Sequence, residues 1–79
     1  MKVLNKPVDM IAVFYRSGKV EPVKFKYEDA PVTVHRILKR YDEKLAGNRR
    51  ICFVCINDGA KVYELKYEVD TQVWYLFKM

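Results

Sequence analysis

The sequence predicts an all-β fold, a small antiparallel five- to six-stranded SH3-like barrel or sandwich. Three observations predict it. Short runs rich in Val, Ile, Tyr and Phe recur along the chain, Gly, Asp, Asn and Pro clusters separate them, and only one segment carries helical periodicity. The chain has 79 residues, enough for a single domain over residues 1–79 that buries roughly 60 to 65 % of the surface its unfolded form exposes. A composition that is 51 % hydrophobic and 14 % aromatic supplies large side chains to fill so small a core and argues against disorder.

Lys2 to Pro7 reads as a polar lead-in. Met10-Ile11-Ala12-Val13-Phe14-Tyr15 reads as a strand, and Arg16-Ser17-Gly18-Lys19 as a tight turn in which Gly18 takes the positive φ that hairpin turns require. Val20 to Tyr27 returns as a strand with Val23, Phe25 and Tyr27 inward and Lys24 and Lys26 in water. Pro22 lacks a ladder donor, so it belongs at an edge or a bulge. Glu28-Asp29-Ala30-Pro31 is a turn cluster.

Val32 to Ala46 is ambiguous. Val34, Ile37, Leu38, Tyr41 and Leu45 have helical spacing, and Gly47-Asn48 would stop a helix. Against this, Val32-Thr33-Val34 follows Pro31 and is β-branched, so we read a strand over Val32 to Leu38 and then an irregular polar excursion through Gly47. An α+β fold with one helix over residues 33–46 is the alternative. Arg50 to Asn57, apolar on both sides, reads as a central strand. Asn57-Asp58-Gly59 is the strongest turn signal in the chain.

The last twenty residues form a hairpin of two dissimilar strands. In Val62 to Val69, Tyr63, Leu65, Tyr67 and Val69 alternate with Glu64, Lys66 and Glu68, which predicts one buried and one wet face. Val73-Trp74-Tyr75-Leu76-Phe77 is apolar on both faces. An even loop sets Tyr67 against Trp74 and Leu65 against Leu76, and an odd loop puts Trp74 and Leu76 on the charged side. The even loop is preferred, because burying Trp74 with Leu76 stabilises the core by about 2 to 3 kcal/mol per large side chain. It leaves Val73, Tyr75 and Phe77 on the charged face without evident cover, a candidate surface for a protein partner or a homodimer.

Cys52 and Cys55 have the C-x-x-C spacing of redox and zinc sites, but they lie in Ile51-Cys52-Phe53-Val54-Cys55-Ile56, a β-forming run. On a strand, residues three apart face opposite sides. A shared metal or an intramolecular disulfide is therefore excluded, and buried, reduced thiols are expected. No cofactor and no metal are expected. The 79 residues hold no apolar stretch of bilayer length, and Met1 to Pro7 lacks the apolar middle of a secretion signal, so no membrane partner and a cytoplasmic location are expected.

The strings Lys44-Leu45-Ala46-Gly47-Asn48-Arg49-Arg50-Ile51-Cys52-Phe53-Val54-Cys55, Val62-Tyr63-Glu64-Leu65-Lys66-Tyr67-Glu68-Val69-Asp70-Thr71 and Trp74-Tyr75-Leu76-Phe77-Lys78 resemble a family of small uncharacterised bacterial proteins. The resemblance covers the C-terminal half best. It implies a compact all-β domain of unknown function and supplies no catalytic or ligand residues.

The net charge of +5 is concentrated. Arg36, Lys39, Arg40, Lys44, Arg49 and Arg50 outnumber Asp42 and Glu43 in one segment, which is a candidate for weak, sequence-independent nucleic-acid binding; a solvated segment is the plainer reading. His35 has no company for acid-base work, Ser17 sits in a turn, and neither cysteine has a base beside it. We therefore expect no enzyme, and a binding module instead.

Overall fold

The computed structural model describes residues 1–79. Eight strands follow one another: β1 (Val3–Val8), β2 (Met10–Phe14), β3 (Val20–Tyr27), β4 (Ala30–Thr33), β5 (Arg36–Leu45), β6 (Asn48–Ile56), β7 (Val62–Glu68) and β8 (Val73–Lys78). They make a five-stranded sheet in the order β1-β8-β7-β6-β5 and a three-stranded sheet in the order β2-β3-β4, antiparallel throughout. No helix is present, hence none long and apolar enough to cross a membrane.

The chain changes sheets twice, each time within a residue or two. Asp9 alone separates β1 from β2. At the second corner Val34 N–H donates to Val23 O at 2.9 Å in the small sheet, and the next residue, His35, donates to Ile56 O at 3.0 Å in the large one. Strands that switch sheets at corners hold two layers face to face without closing a ring of hydrogen bonds. The all-β reading holds, in its two-sheet form, with eight strands where five to six were expected.

Two of the extra strands are edges. β1 occupies the expected polar lead-in and pairs with β8, and Lys2 and Met79 exchange backbone hydrogen bonds at 2.9 and 3.0 Å. Pro7 is tolerated there because an edge strand needs ladder donors on one side only. β5 replaces both the expected polar excursion and its helical alternative: it runs in register with β6 from Arg36↔Ile56 to Leu45↔Asn48, closed by a turn in which Ala46 and Gly47 both have positive φ. Charge along an edge strand is normal, since it discourages pairing with other chains. The helical spacing has no structural counterpart, because Ile37 packs on the core, Leu38 sits at a bulge and Leu45 is exposed.

A bulge also explains the mixed pattern of β3. Ile11 pairs with Lys24 and Ala12 with Pro22, which leaves Val23 as the extra residue and resets the alternation. Val20 and Pro22 are therefore buried with Phe25, whereas Val23 is exposed rather than inward. Pro22 stands beside the bulge, as its missing N–H requires.

The core lies between the sheets. Val20 and Phe25 meet Ile51, Phe53, Cys55, Tyr63, Leu65, Tyr67, Trp74 and Leu76. Phe25 meets Tyr63 edge-on with ring centres 5.5 Å apart, and Trp74 lies 4.8 Å from Tyr67 and 5.7 Å from Phe53. The closing hairpin has the even register, Tyr67↔Trp74 and Leu65↔Leu76. That register puts the lone Trp where it removes most apolar surface from water.

Candidate association surfaces

The face of the large sheet turned away from the core corrects one expectation. Glu64, Lys66 and Glu68 are not in water; they are 7 %, 4 % and 7 % exposed. β7 is flanked on both sides, so long side chains of β5, β6 and β8 meet above it. Lys66 Nζ donates to Glu43 Oε1 at 2.7 Å and lies 3.6 Å from Glu64 Oε2, and Tyr41 Oη donates to Glu64 Oε2 at 2.8 Å. Thr71 Oγ1 donates to Glu68 Oε1 at 2.8 Å. Arg50 Nε lies 3.4 Å from Glu68 Oε2, a close ionic contact without the alignment of a hydrogen bond.

Val73, Tyr75 and Phe77 are half-buried on this side of β8, and cations of the same chain cover Tyr75 and Phe77. The Phe77 ring lies 4.0 Å from Lys66 Nζ and 5.4 Å from Lys78 Nζ, and the Arg50 guanidinium lies 6.0 Å from the Tyr75 ring. Cations over ring faces are attracted to the aromatic quadrupole and shield the ring from solvent. Val73 instead contributes to a groove at the end of the sheets, described below.

Both cysteines are buried and free, on opposite sides of β6. Cys55 belongs to the core, and burial pushes its thiol up to about 12. Cys52 lies opposite Tyr41 and Lys66 in the ladder; burial pushes its thiol up to about 11, outweighing the Lys66 charge that favours the thiolate. Burial, reinforced by the Glu64 hydrogen bond, likewise raises the Tyr41 phenol well above its ordinary value. Burial thus favours the protonated form of all three groups. His35 Nδ1 lies 3.1 Å from Asp58 Oδ1 at the exposed corner of the fold, and no three His, Cys, Asp or Glu side chains gather as a metal site.

The six basic candidates all lie on β5 and β6, but they do not share one face. Lys39 stands over the Tyr41 ring on the polar face, whereas Arg40 lies over Phe53 on the core side. Arg49 is paired with Asp42 at 3.2 Å, Arg40 reaches the same carboxylate at 3.9 Å, and Arg50 is drawn inward between Glu43 and Glu68. Arg36, Lys39 and Lys44 make no ion pair.

The surface that the sequence did not single out is β2. Ile11 is 63 % and Phe14 62 % exposed, with Val13 and Tyr15 also open. β2 pairs with β3 alone, so its other edge is free. Tyr15 N–H donates to Lys19 O at 2.8 Å and its carbonyl accepts from Gly18 N–H at 2.9 Å, so Tyr15 points toward β3; by alternation, Phe14 and Ala12 present N–H and C=O outward. Beside this edge runs an open groove of about 900 Å³ lined by Val8, Met10, Phe14, Tyr67, Val73 and Trp74, in which the Phe14 ring meets Tyr67 edge-on at 5.8 Å. The other edges are blunted: β1 carries Lys6 and Pro7, β4 carries Pro31, and β5 carries Arg36, Lys39, Arg40, Asp42, Glu43 and Lys44. From Met10 to Phe14 there is neither charge nor proline. An uncharged five-residue run was visible in the sequence, but its being an edge depends on strand order, which was not.

The fold defines the class, a small two-sheet all-β domain whose sheets are joined at two corners by connections of one or two residues. Compared with protein-family models, curated proteins and solved structures, the chain matches none.

Proposed function

We propose that this protein is a non-catalytic association module that takes a protein partner along the free edge of β2 and the groove beside it. One observation carries the reading: the exposed apolar side chains Ile11, Val13, Phe14 and Tyr15 gather on the one sheet edge that lacks charge and proline. Soluble domains blunt such edges unless something pairs with them. The closing hairpin takes part through Val73 and Trp74 at its base, whereas Tyr75 and Phe77 already have cover from Arg50, Lys66 and Lys78.

The test is the size of the protein in an extract of its own cells. It should elute well above its 9.4 kDa chain mass, and Ile11→Lys with Val13→Lys should return it to that mass. Elution of the wild type as a 9.4 kDa species refutes the reading. Phosphate binding through the basic segment has weaker support, because Arg50 is held by Glu43 and Glu68 and the remaining cations divide between two faces.

A further inference from the structure

We infer that the occupant of the β2 edge is the β2 edge of a second copy, paired antiparallel about a two-fold axis at Ala12. The inference rests on the association reading above and names its partner. A two-fold axis perpendicular to a continuous sheet requires one residue to oppose itself, because directly opposed residues must point to the same face. That residue must also present its N–H and C=O outward. Ala12, at the middle of β2, meets both conditions, and its methyl group is small enough for the two backbones to meet at the axis.

The register that follows is self-complementary. Met10 faces Phe14 of the second copy, so Ala12 and the Met10/Phe14 pairs exchange ladder bonds, and exposed Ile11 lies against exposed Val13 on the outer face. Charge selects the same orientation. Asp9 stands just before the strand and Arg16 just after it, so antiparallel copies bring each carboxylate toward the other's guanidinium, whereas parallel copies would bring like toward like. The groove lies open beside the edge and gives the incoming Met10 and Phe14 side chains apolar surface on Phe14, Tyr67 and Trp74. Such pairing consumes both edges and leaves the blunted β1, β4 and β5 outside, so it ends at a dimer.

Sedimentation equilibrium of the purified chain tests this. The mass should rise with concentration from 9.4 kDa toward twice that value, and Ile11→Lys with Val13→Lys should weaken dimerisation more than about tenfold. Both positions are exposed, and circular dichroism at low concentration checks that the variant keeps its fold. The register is read separately: Ala12→Cys should give a disulfide-linked dimer under mild oxidation, since opposed Cα atoms in such a pair lie about 5.5 Å apart, while Ser17→Cys should not. A wild type that stays monomeric, a dimer that survives the double lysine variant, or an Ala12→Cys chain that fails to cross-link overturns the inference. If the purified chain is monomeric while the form in cell extract is large, the second copy is excluded and the association reading stands; if both are monomeric, both fall.

Discussion

Replacing Lys66 by methionine removes the cation that touches both Glu43 and Glu64 while keeping an unbranched stem of similar length. Lys66 Nζ lies 2.7 Å from Glu43 Oε1, 3.6 Å from Glu64 Oε2 and 4.0 Å from the Phe77 ring centre, and its side chain is only 5 % exposed. Breaking a buried ion pair by removing one partner costs about 3 to 5 kcal/mol, because the other charge stays buried without compensation. Glu43 is 31 % exposed and can turn to water, which places the cost at the low end. The thioether against Phe77 returns about 0.5 kcal/mol, leaving a net loss of about 2 to 3 kcal/mol. A 79-residue domain is stable by about 4 to 12 kcal/mol in all, so the melting temperature should fall by about 10 to 20 °C. Urea unfolding read by the fluorescence of buried Trp74 measures it. Adding Glu64→Gln, which keeps an acceptor for Tyr41 Oη, should recover about 1 to 2 kcal/mol of the loss. A Lys66→Met chain within about 0.5 kcal/mol of wild type would refute the reasoning, for then the network would contribute nothing net.

Stability should fall at alkaline pH. Burial raises Cys52, Cys55, Tyr41 and Tyr63 in the folded state, so that state keeps protons the unfolded chain has released; stability is full below the ordinary thiol value of 9.0 and drops as pH rises through 9 toward 11 and 12, the raised thiol values. Each thiol contributes a slope of about 1.4 kcal/mol per pH unit in that window, and urea midpoints that stay flat from pH 8 to about 10.5 would contradict this. Tyr63→Phe should leave stability unchanged or raise it by up to about 1 kcal/mol, since the buried hydroxyl has no hydrogen-bond partner in the chain. A loss above about 1.5 kcal/mol on the same urea assay would show that the hydroxyl is satisfied. Ala60→Gly should stabilise by about 0.5 to 1 kcal/mol, because Ala60 holds φ at 61° in the Asn57–Lys61 turn. Thermal melts decide that case, and a lowered melting temperature would speak against strain at this position.

How much of this was legible in the sequence depended on what each argument required. The register of the closing hairpin was legible, because Trp74 and Leu76 share one side and only one loop parity buries them. So was the separation of Cys52 from Cys55, which follows from strand geometry alone. The wetness of Glu64, Lys66 and Glu68 was not legible. Alternation says which residues share a face, but whether that face meets water depends on the reach of neighbours such as Tyr41, Glu43 and Arg50, and hence on strand order. β5 was misread for a related reason: an edge strand has a polar sequence, and polarity alone resembles a loop. The free edge of β2 was hidden likewise, since Met10 to Phe14 reads the same whether one or both sides are paired.

The exchange of backbone hydrogen bonds between Lys2 and Met79 pairs residues that are distant in sequence and flank the neighbouring strands β1 and β8. Their ladder closes a loop that runs from β1 to β8, and closing it is worthwhile only once β8 has a sheet to belong to. β1 should thus dock last in folding and detach first from β8 under load, with Asp9, which joins it to β2 of the small sheet, as the hinge. The same proximity makes the topology cuttable: a short glycine-rich bridge between residues 79 and 2 permits new ends at the Ser17–Gly18 or Asp58–Gly59 turn. The first of these cuts would untie β2 from β3, and would show how far the free edge owes its shape to that hairpin.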